Sequence, residues 1–380
     1  MGSNRVGAES TGGRHLRGES PLVFLSAGES SGDKHGAALA KALRERIPGV
    51  RLAGMGGPRM AGEGVRLLAE LDDLAVMGFA EVARRLPFFA RLRRQVRRFI
   101  VEDGVDLLIP IDYPGFNLPL SEFAHGRGVP VLYYIAPQVW AWKEGRARRL
   151  GAASNLVCTI LPFEEMLLVS YGARARFVGH PLLDQPPARN RAEGATLALF
   201  PGSRAQELHR MLADFADAAQ RVRAERPDVQ LLIGRDEHLP VSSYAAAGDI
   251  PVVPADEAIA SATAAITKSG TITLQLAIAG VPMAVGYRTS RLTYRIARRL
   301  VAVPHISLVN LVAGREVVPE HIQDEMTPAV LAESVLPLLD EAGGERANML
   351  TDLEDVRLRL GEPGVAARVA DAAQEVLGGS

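Results

Sequence analysis

Four short polar segments in this chain each follow an apolar run, and each carries side chains able to ionise or to bind an anion. The first, "SAGESSGDKHG", sets Gly28, Glu29, Ser31 and Asp33 at the entry to a helix. The second, "PIDYPGFN", ends an apolar run on Asp112. A carboxylate at the carboxyl edge of a sheet is a natural general base for a hydroxyl nucleophile. The same residues also fit an Asx-turn ahead of Pro114, with Asn117 free to cap the next helix. The third, "LFPGSR", delivers Gly202, Ser203 and Arg204 to a helix start. Backbone N–H groups, a positive dipole end and a guanidinium then meet at one point, a site suited to phosphate. The fourth, "AAITKSGTITLQ", repeats that design with Ser269, Gly270 and Thr271, and Gln275 follows four residues later on the face of Thr271. Two such helix starts in one half of the chain would flank a diphosphate. On their residues alone these loops also read as tight turns and helix caps.

Several other chemistries are excluded by spacing. The G-x-x-x-x-G-K-[ST] pattern of a nucleoside-triphosphate loop is absent. "GMGGPRMAG" is no dinucleotide fingerprint, because Arg59 holds the last glycine position. The eight histidines show no metal-ligand spacing, and His180 in "FVGHP" reads as a structural hydrogen-bonding residue. The single cysteine, Cys158, rules out an internal disulfide framework and reads as a small buried hydrophobe.

The elements that must position these loops form an α/β pattern. "PLVFLSAG", "DLLIPID", "VLYYIA" and "NLVCTIL" are continuous rather than alternating apolar runs, as expected of parallel strands buried on both faces. Helix-period segments separate them, which predicts doubly wound parallel sheets. At 380 residues the chain exceeds the usual growth of one core. The Pro-rich, polar "PLLDQPPARNRAEGA" supplies the boundary. The expected organisation is a loose extension over residues 1–20, a first Rossmann-like domain over 21–185, a second over 186–345, and C-terminal helices over 346–380. With 47% hydrophobic and 23% charged residues the chain reads as a globular enzyme, and 43 basic against 44 acidic residues give no field for nucleic acid. The first 20 residues lack the apolar core of a signal peptide, and no apolar run reaches the 18 residues of a membrane span.

Taken together, "AGESSGDKHGA", "GMGGPRM", "DLAVMGFAEV", "IDYPGFN", "YYIAPQVWAWKEGRARRL", "ILPFEE", "FVGHPLLD", "LFPGSRAQEL", "KSGTITLQ", "VPMAVGYR" and "NLVAGREVVPEHIQ" resemble the lipid A disaccharide synthases, inverting glycosyltransferases of the GT-B fold. The resemblance implies two Rossmann-like domains facing across a cleft. It implies a donor, UDP-2,3-diacylglucosamine, an acceptor, 2,3-diacylglucosamine 1-phosphate, and a β-1,6 bond formed with release of UDP. By resemblance Asp112 is the base, and Arg204 and Asn310 are further residues needed for activity. Gly202, Ser203, Ser269, Gly270, Thr271, Gln275 and Gln323 fall on the UDP side, and Gly28, Glu29, Ser31 and Asp33 on the acceptor side. No D-x-D-type carboxylate pair is placed to hold a metal, so neither metal nor cofactor is expected. A UDP-sugar-binding protein that has lost turnover, and a UDP-sugar epimerase on the same fold, are the competing readings. A homodimer is left open.

Two features qualify the resemblance. The family's donor loop ends in Glu where this chain has Gln275, and Val309 stands where the family usually has Pro before Asn310. Replacing a charge-assisted bond to the ribose by a neutral one predicts a loss of about tenfold in donor affinity. Lipid substrates also draw attention to "RRLPFFARLRRQVRRFI", which carries seven arginines and no acid, with a second basic segment at "RLTYRIARRL". Phe88, Phe89, Leu92, Arg91, Arg94 and Arg98 are accordingly expected to meet an anionic membrane surface, placing the protein peripherally on the cytoplasmic face of the inner membrane.

Overall fold

The computed structural model describes residues 20–71, 79–138, 144–188, 194–291, 293–295 and 303–379. Most of the N-terminal extension, the "DLAVMG" part of one family motif, Trp140–Trp142 and most of "RLTYRIARRL" lie outside the described residues.

The first half builds a seven-stranded parallel sheet from β1 (Leu22–Ala27), β2 (Arg51–Gly56), β3 (Arg66–Glu70), β4 (Leu107–Ile111), β5 (Leu132–Tyr134), β6 (Leu156–Thr159) and β7 (Ala175–Phe177). Helices α1 (Ser30–Arg46), α2 (Pro58–Gly62), α3 (Phe79–Glu102), α4 (Pro114–His125), α5 (Glu144–Ala152) and α6 (Pro162–Ser170) connect these strands. The second half builds a six-stranded parallel sheet from β8 (Thr196–Phe200), β9 (Gln230–Arg235), β10 (Val252–Pro254), β11 (Ala264–Thr267), β12 (Met283–Tyr287) and β13 (Glu320–Ile322). Its helices are α7 (Ala205–Glu225), α8 (Ala255–Ser261), α9 (Thr271–Ile278), α10 (Leu308–Ala313), α11 (Pro328–Val335) and α12 (Gly344–Arg359), and α13 (Val365–Gly378) closes the chain. As the continuous apolar runs require, β1, β4, β8 and β11 are buried along their whole lengths.

The strand orders fix where ligands can sit. The first sheet runs β3-β2-β1-β4-β5-β6-β7, and the second β10-β9-β8-β11-β12-β13. Each order reverses direction once, between β1 and β4 and between β8 and β11, which opens a crevice at the carboxyl ends of those strands. The carboxyl edge of the first sheet abuts the second domain, since Leu161 after β6 and Leu183 beyond β7 belong to the second domain's apolar core.

The C-terminal helices do not form one unit. Met349, Leu353 and Val356 of α12 join the second domain's core, whereas Val365, Val369, Ala370 and Ala373 of α13 join the first, with Leu39, Leu43 and Tyr134. The return crossing is held to the outward one. Leu360 O accepts from His180 N at 2.9 Å, Arg368 Nε donates to Val178 O at 2.8 Å, and Asp184 Oδ1 accepts from Gly364 N at 2.6 Å and Val365 N at 3.1 Å.

The apolar stripe of α3 is core, which corrects the expectation that Leu92 meets a membrane. Leu92, Val96 and Phe99 are buried with Leu22, Phe24, Phe116 and Leu120, and Phe88 and Phe89 are partly buried against the same cluster. The amphipathic period of α3 serves the sheet. Arg91, Arg94 and Arg98 remain exposed, with Arg98 3.9 Å from Glu102. Among the described residues no helix is long and apolar enough to cross a membrane.

Candidate functional site

The crevice of the first sheet lies between the loop after β1 and the loop after β4, and it brings Gly28, Glu29 and Asp112 together. Asp112 and Tyr113 both take left-handed backbone, at φ 45° and 50°, which costs non-glycine residues about 1–3 kcal/mol each and persists only where the surroundings impose it. Asn117 is the main constraint. Its buried amide donates to Ser26 O at 3.0 Å and Asp112 O at 2.8 Å, while its oxygen accepts from Ser26 Oγ at 2.6 Å. Tyr133 Oη also donates to Asp112 O, at 2.8 Å. Asn117 is therefore a clasp between the two strand ends, where the sequence offered a helix cap. Gly28 is required by contact, because a Cβ there would lie 2.2 Å from the Tyr113 ring.

Burial, reinforced by the charge of Glu29 and opposed by a hydrogen bond from the Tyr113 backbone, raises the Asp112 carboxyl to about 6. A carboxylate so placed is ionised at neutral pH yet more basic than an ordinary aspartate, the property wanted in a general base. Glu29, at the N-cap of α1, and Ser31 in its first turn are exposed. Asp33 is a correction. It is buried and points across to α2, with Oδ1 accepting from Gly57 N at 2.7 Å and Met60 N at 3.0 Å and Oδ2 from Arg59 N at 3.1 Å. Both oxygens cap a helix, so Asp33 braces the loop after β1 from behind.

The crevice of the second sheet lies between the loops after β8 and β11, and it contains both predicted phosphate loops. The two are joined by groups the sequence reading did not select. Lys268 N donates to Phe200 O at 3.0 Å, and Lys268 Nζ donates to Glu207 Oε1 at 3.0 Å. Glu207 Oε2 in turn accepts from Ser203 N at 3.0 Å. Arg204, the N-cap residue of α7, leaves its side chain 76% exposed with Nη1 4.0 Å from Glu207 Oε1. Glu207 was readable in principle, since an acid at the third position of a helix is a capping signal. In α9, Thr271 is exposed and Gln275 half-buried one turn later.

Ser269 leads to the remaining residues. Its hydroxyl donates to Ile306 O at 2.6 Å. Glu320, also missed by the sequence, holds that segment by accepting from Ile306 N at 2.9 Å and from Ser307 N at 2.8 Å. Asn310 is fully buried in the same net. Its amide donates to Val318 O at 2.9 Å and Glu320 Oε1 at 2.8 Å, and its oxygen accepts from Val317 N at 2.7 Å and Val318 N at 3.0 Å. With every polar atom of its side chain used internally, Asn310 acts as a positioning residue whose influence reaches the loop after β11 through Glu320 and Ile306. Val309 packs into the second core at 0% exposure, so the missing proline leaves no gap. Gln323 is held by the backbone in a similar way. At φ 58° and buried, it pairs both ways with the backbone of Thr289, accepting from N at 2.8 Å and donating to O at 3.2 Å.

His180 is buried, accepts from Leu182 N at 3.3 Å through Nδ1, and is lowered by burial to about 3, the structural role expected of it. Cys158 is buried and its thiol is pushed up to about 12 by burial. Among the described residues no group of three His, Cys, Asp or Glu side chains could hold a metal ion.

Two parallel-sheet domains, each presenting polar loops at its order reversal, define the GT-B class. Solved structures agree at the level of fold: the calicheamicin glycosyltransferase CalG4 superposes with a TM-score of 0.58 at 18% identity, covering 96% of this chain and 99% of that one. The S. aureus MnaA structure with UDP gives a TM-score of 0.66 at 12% identity, covering 94% and 97%. The family profile described as lipid-A-disaccharide synthetase matches residues 23–376. The lipid-A-disaccharide synthase of Myxococcus xanthus is 39% identical over 375 residues, 94% of this chain and 98% of its own length. That of Syntrophus aciditrophicus is 40% identical over 370 residues, 92% and 96%. The chain belongs to the lipid-A-disaccharide synthetase family of glycosyltransferases.

Proposed function

We propose that this chain transfers 2,3-diacylglucosamine from UDP to the 6-hydroxyl of 2,3-diacylglucosamine 1-phosphate, forming the β-1,6-linked disaccharide and releasing UDP. The observation that carries the reading is the raised, strained Asp112 at one sheet's order reversal and the cationic double loop at the other's. Asp112 takes the proton of the acceptor hydroxyl as its oxygen attacks the anomeric carbon, and the sugar inverts in one displacement. The starts of α7 and α9 and the exposed Arg204 meet the charge that develops on the departing diphosphate. That the MnaA structure, of similar fold, was solved with UDP supports a nucleotide ligand for this architecture.

Incubating purified protein with radiolabelled donor and acceptor tests the reading, and a labelled disaccharide is the expected product. No disaccharide, with UDP still bound, would leave a nucleotide-sugar-binding protein. We also propose that Arg91, Arg94 and Arg98 meet an anionic inner-membrane surface on its cytoplasmic face, because they line one exposed side of α3. Replacing all three by Gln should lower sedimentation with phosphatidylglycerol vesicles and leave stability within about 1.5 kcal/mol of the parent, about 0.5 kcal/mol per site. Unchanged sedimentation would remove α3 from the docking face.

A further inference from the structure

The pair formed by Lys268 and Glu207 is not required by the transfer chemistry above, yet it sits between the two loops that would receive the diphosphate. It is well shielded, with side chains 16% and 15% exposed. One carboxylate there gathers a lysine ammonium at 3.0 Å, a backbone N–H from Ser203 at 3.0 Å and a guanidinium at 4.0 Å, close to the start of α7. These are the donor types that bind a phosphate group. The surrounding backbone makes room for the pair. Gly202, at φ 144°, lies so close that a Cβ would come within 2.5 Å of Glu207 Cβ, and Gly270, at φ 151°, within 3.3 Å of Lys268 Nζ. Each of the two loops gives up a side chain where one partner lies.

We propose that Glu207 is an internal stand-in for the nucleotide diphosphate, and that Lys268 is a diphosphate ligand which exchanges that carboxylate for the nucleotide. The inference rests on the UDP-dependent reading above and adds two residues to it. Before binding, Glu207 neutralises Lys268 and keeps the two loops in register. After transfer, the carboxylate stays beside the diphosphate and weakens the hold on UDP, which assists product release.

Calorimetric titration of the full chain with UDP, with inorganic pyrophosphate and with uridine, at two ionic strengths, tests this. Glu207→Gln keeps the side chain's size and its acceptor for Ser203 N, and should tighten UDP and pyrophosphate about tenfold, the scale of one charge-assisted contact. Lys268→Met should weaken both about tenfold or more and flatten the salt dependence, while Lys268→Arg stays near the parent. Uridine, which lacks phosphate, should bind all four proteins alike. Weaker UDP binding by Glu207→Gln, or a parallel loss of uridine binding in Lys268→Met, would make the pair a structural strut and overturn the proposal. A parent protein that binds no UDP would overturn the functional reading itself; UDP bound equally by parent and variants would overturn this inference alone.

Discussion

The two sheet crevices occupy the same topological position and are built with opposite electrostatics. Between β1 and β4, Glu29 and Asp112 bring like charges together in a partly buried setting, and Asp112 is raised to about 6. Between β8 and β11, Glu207 and Lys268 bring unlike charges together, with Arg204 exposed beside them. Proton uptake needs a carboxylate whose charged form is disfavoured, whereas holding a diphosphate needs cations kept soluble and ordered until it arrives. In the reaction proposed above, a repeated scaffold would supply two different chemistries through a few loop residues.

The sharpest way to break this contrast is Asp112→Asn. Disaccharide formation should fall roughly 10²- to 10⁴-fold with UDP affinity unchanged, measured by product assay and calorimetry. Turnover at the parent rate would remove Asp112 from the base role. The same variant should be more stable than the parent at pH 7. With its carboxyl raised above the ordinary value, the native state binds a proton more tightly than the unfolded chain, so stability falls as pH rises from about 4 to about 6. Removing the charge should recover about 1–3 kcal/mol, read as a higher midpoint in urea.

Asn310→Ala comes next. Four hydrogen bonds of a buried side chain are lost, so stability should drop by about 2–4 kcal/mol. UDP binding should weaken with it while the pH profile of turnover keeps its shape; a shifted profile would mean Asn310 acts on the base instead. For the parent, turnover under limiting substrate should decline about tenfold per pH unit below about 6, and a flat profile down to pH 5 would contradict the raised carboxyl of Asp112. The smallest effect concerns the donor side alone. Gln275→Glu should lower the donor KM about tenfold, and an unchanged KM would mean that other groups hold the ribose.

Strands and loops were legible in the sequence because burial on both faces leaves an uninterrupted apolar run, and because glycine and polar residues cluster where such a run stops. Asp112 stands out in the sequence for the same reason, as a polar residue where the apolar run of β4 stops, although its strained backbone and raised carboxyl depend on Tyr133, Asn117 and Glu29. The misjudged residues share a different property: a partner far along the chain. Asp33 spends both oxygens on residues 57 to 60, and Asn117 clasps Ser26 across 91 positions. Leu92 shows the same limit for apolar groups. A helix stripe has one period whether it faces a sheet or a bilayer, and only the packed partner, here Phe24 and Leu120, decides between them. The division of α12 and α13 between two cores was equally hidden, since a helix's apolar positions do not say which of two cores it joins.

That division has a mechanical consequence. Because the chain passes between the domains twice, at residues 178–184 and 360–364, and the two passages are stitched to each other by Arg368, Asp184 and His180, the connection resists torsion far more than a single tether would. What remains easy is bending about the line through both passages, as a door swings on two pins. Such a joint guides the two crevices along one path as they approach and part, so that the loops after β4 and β11 keep one alignment.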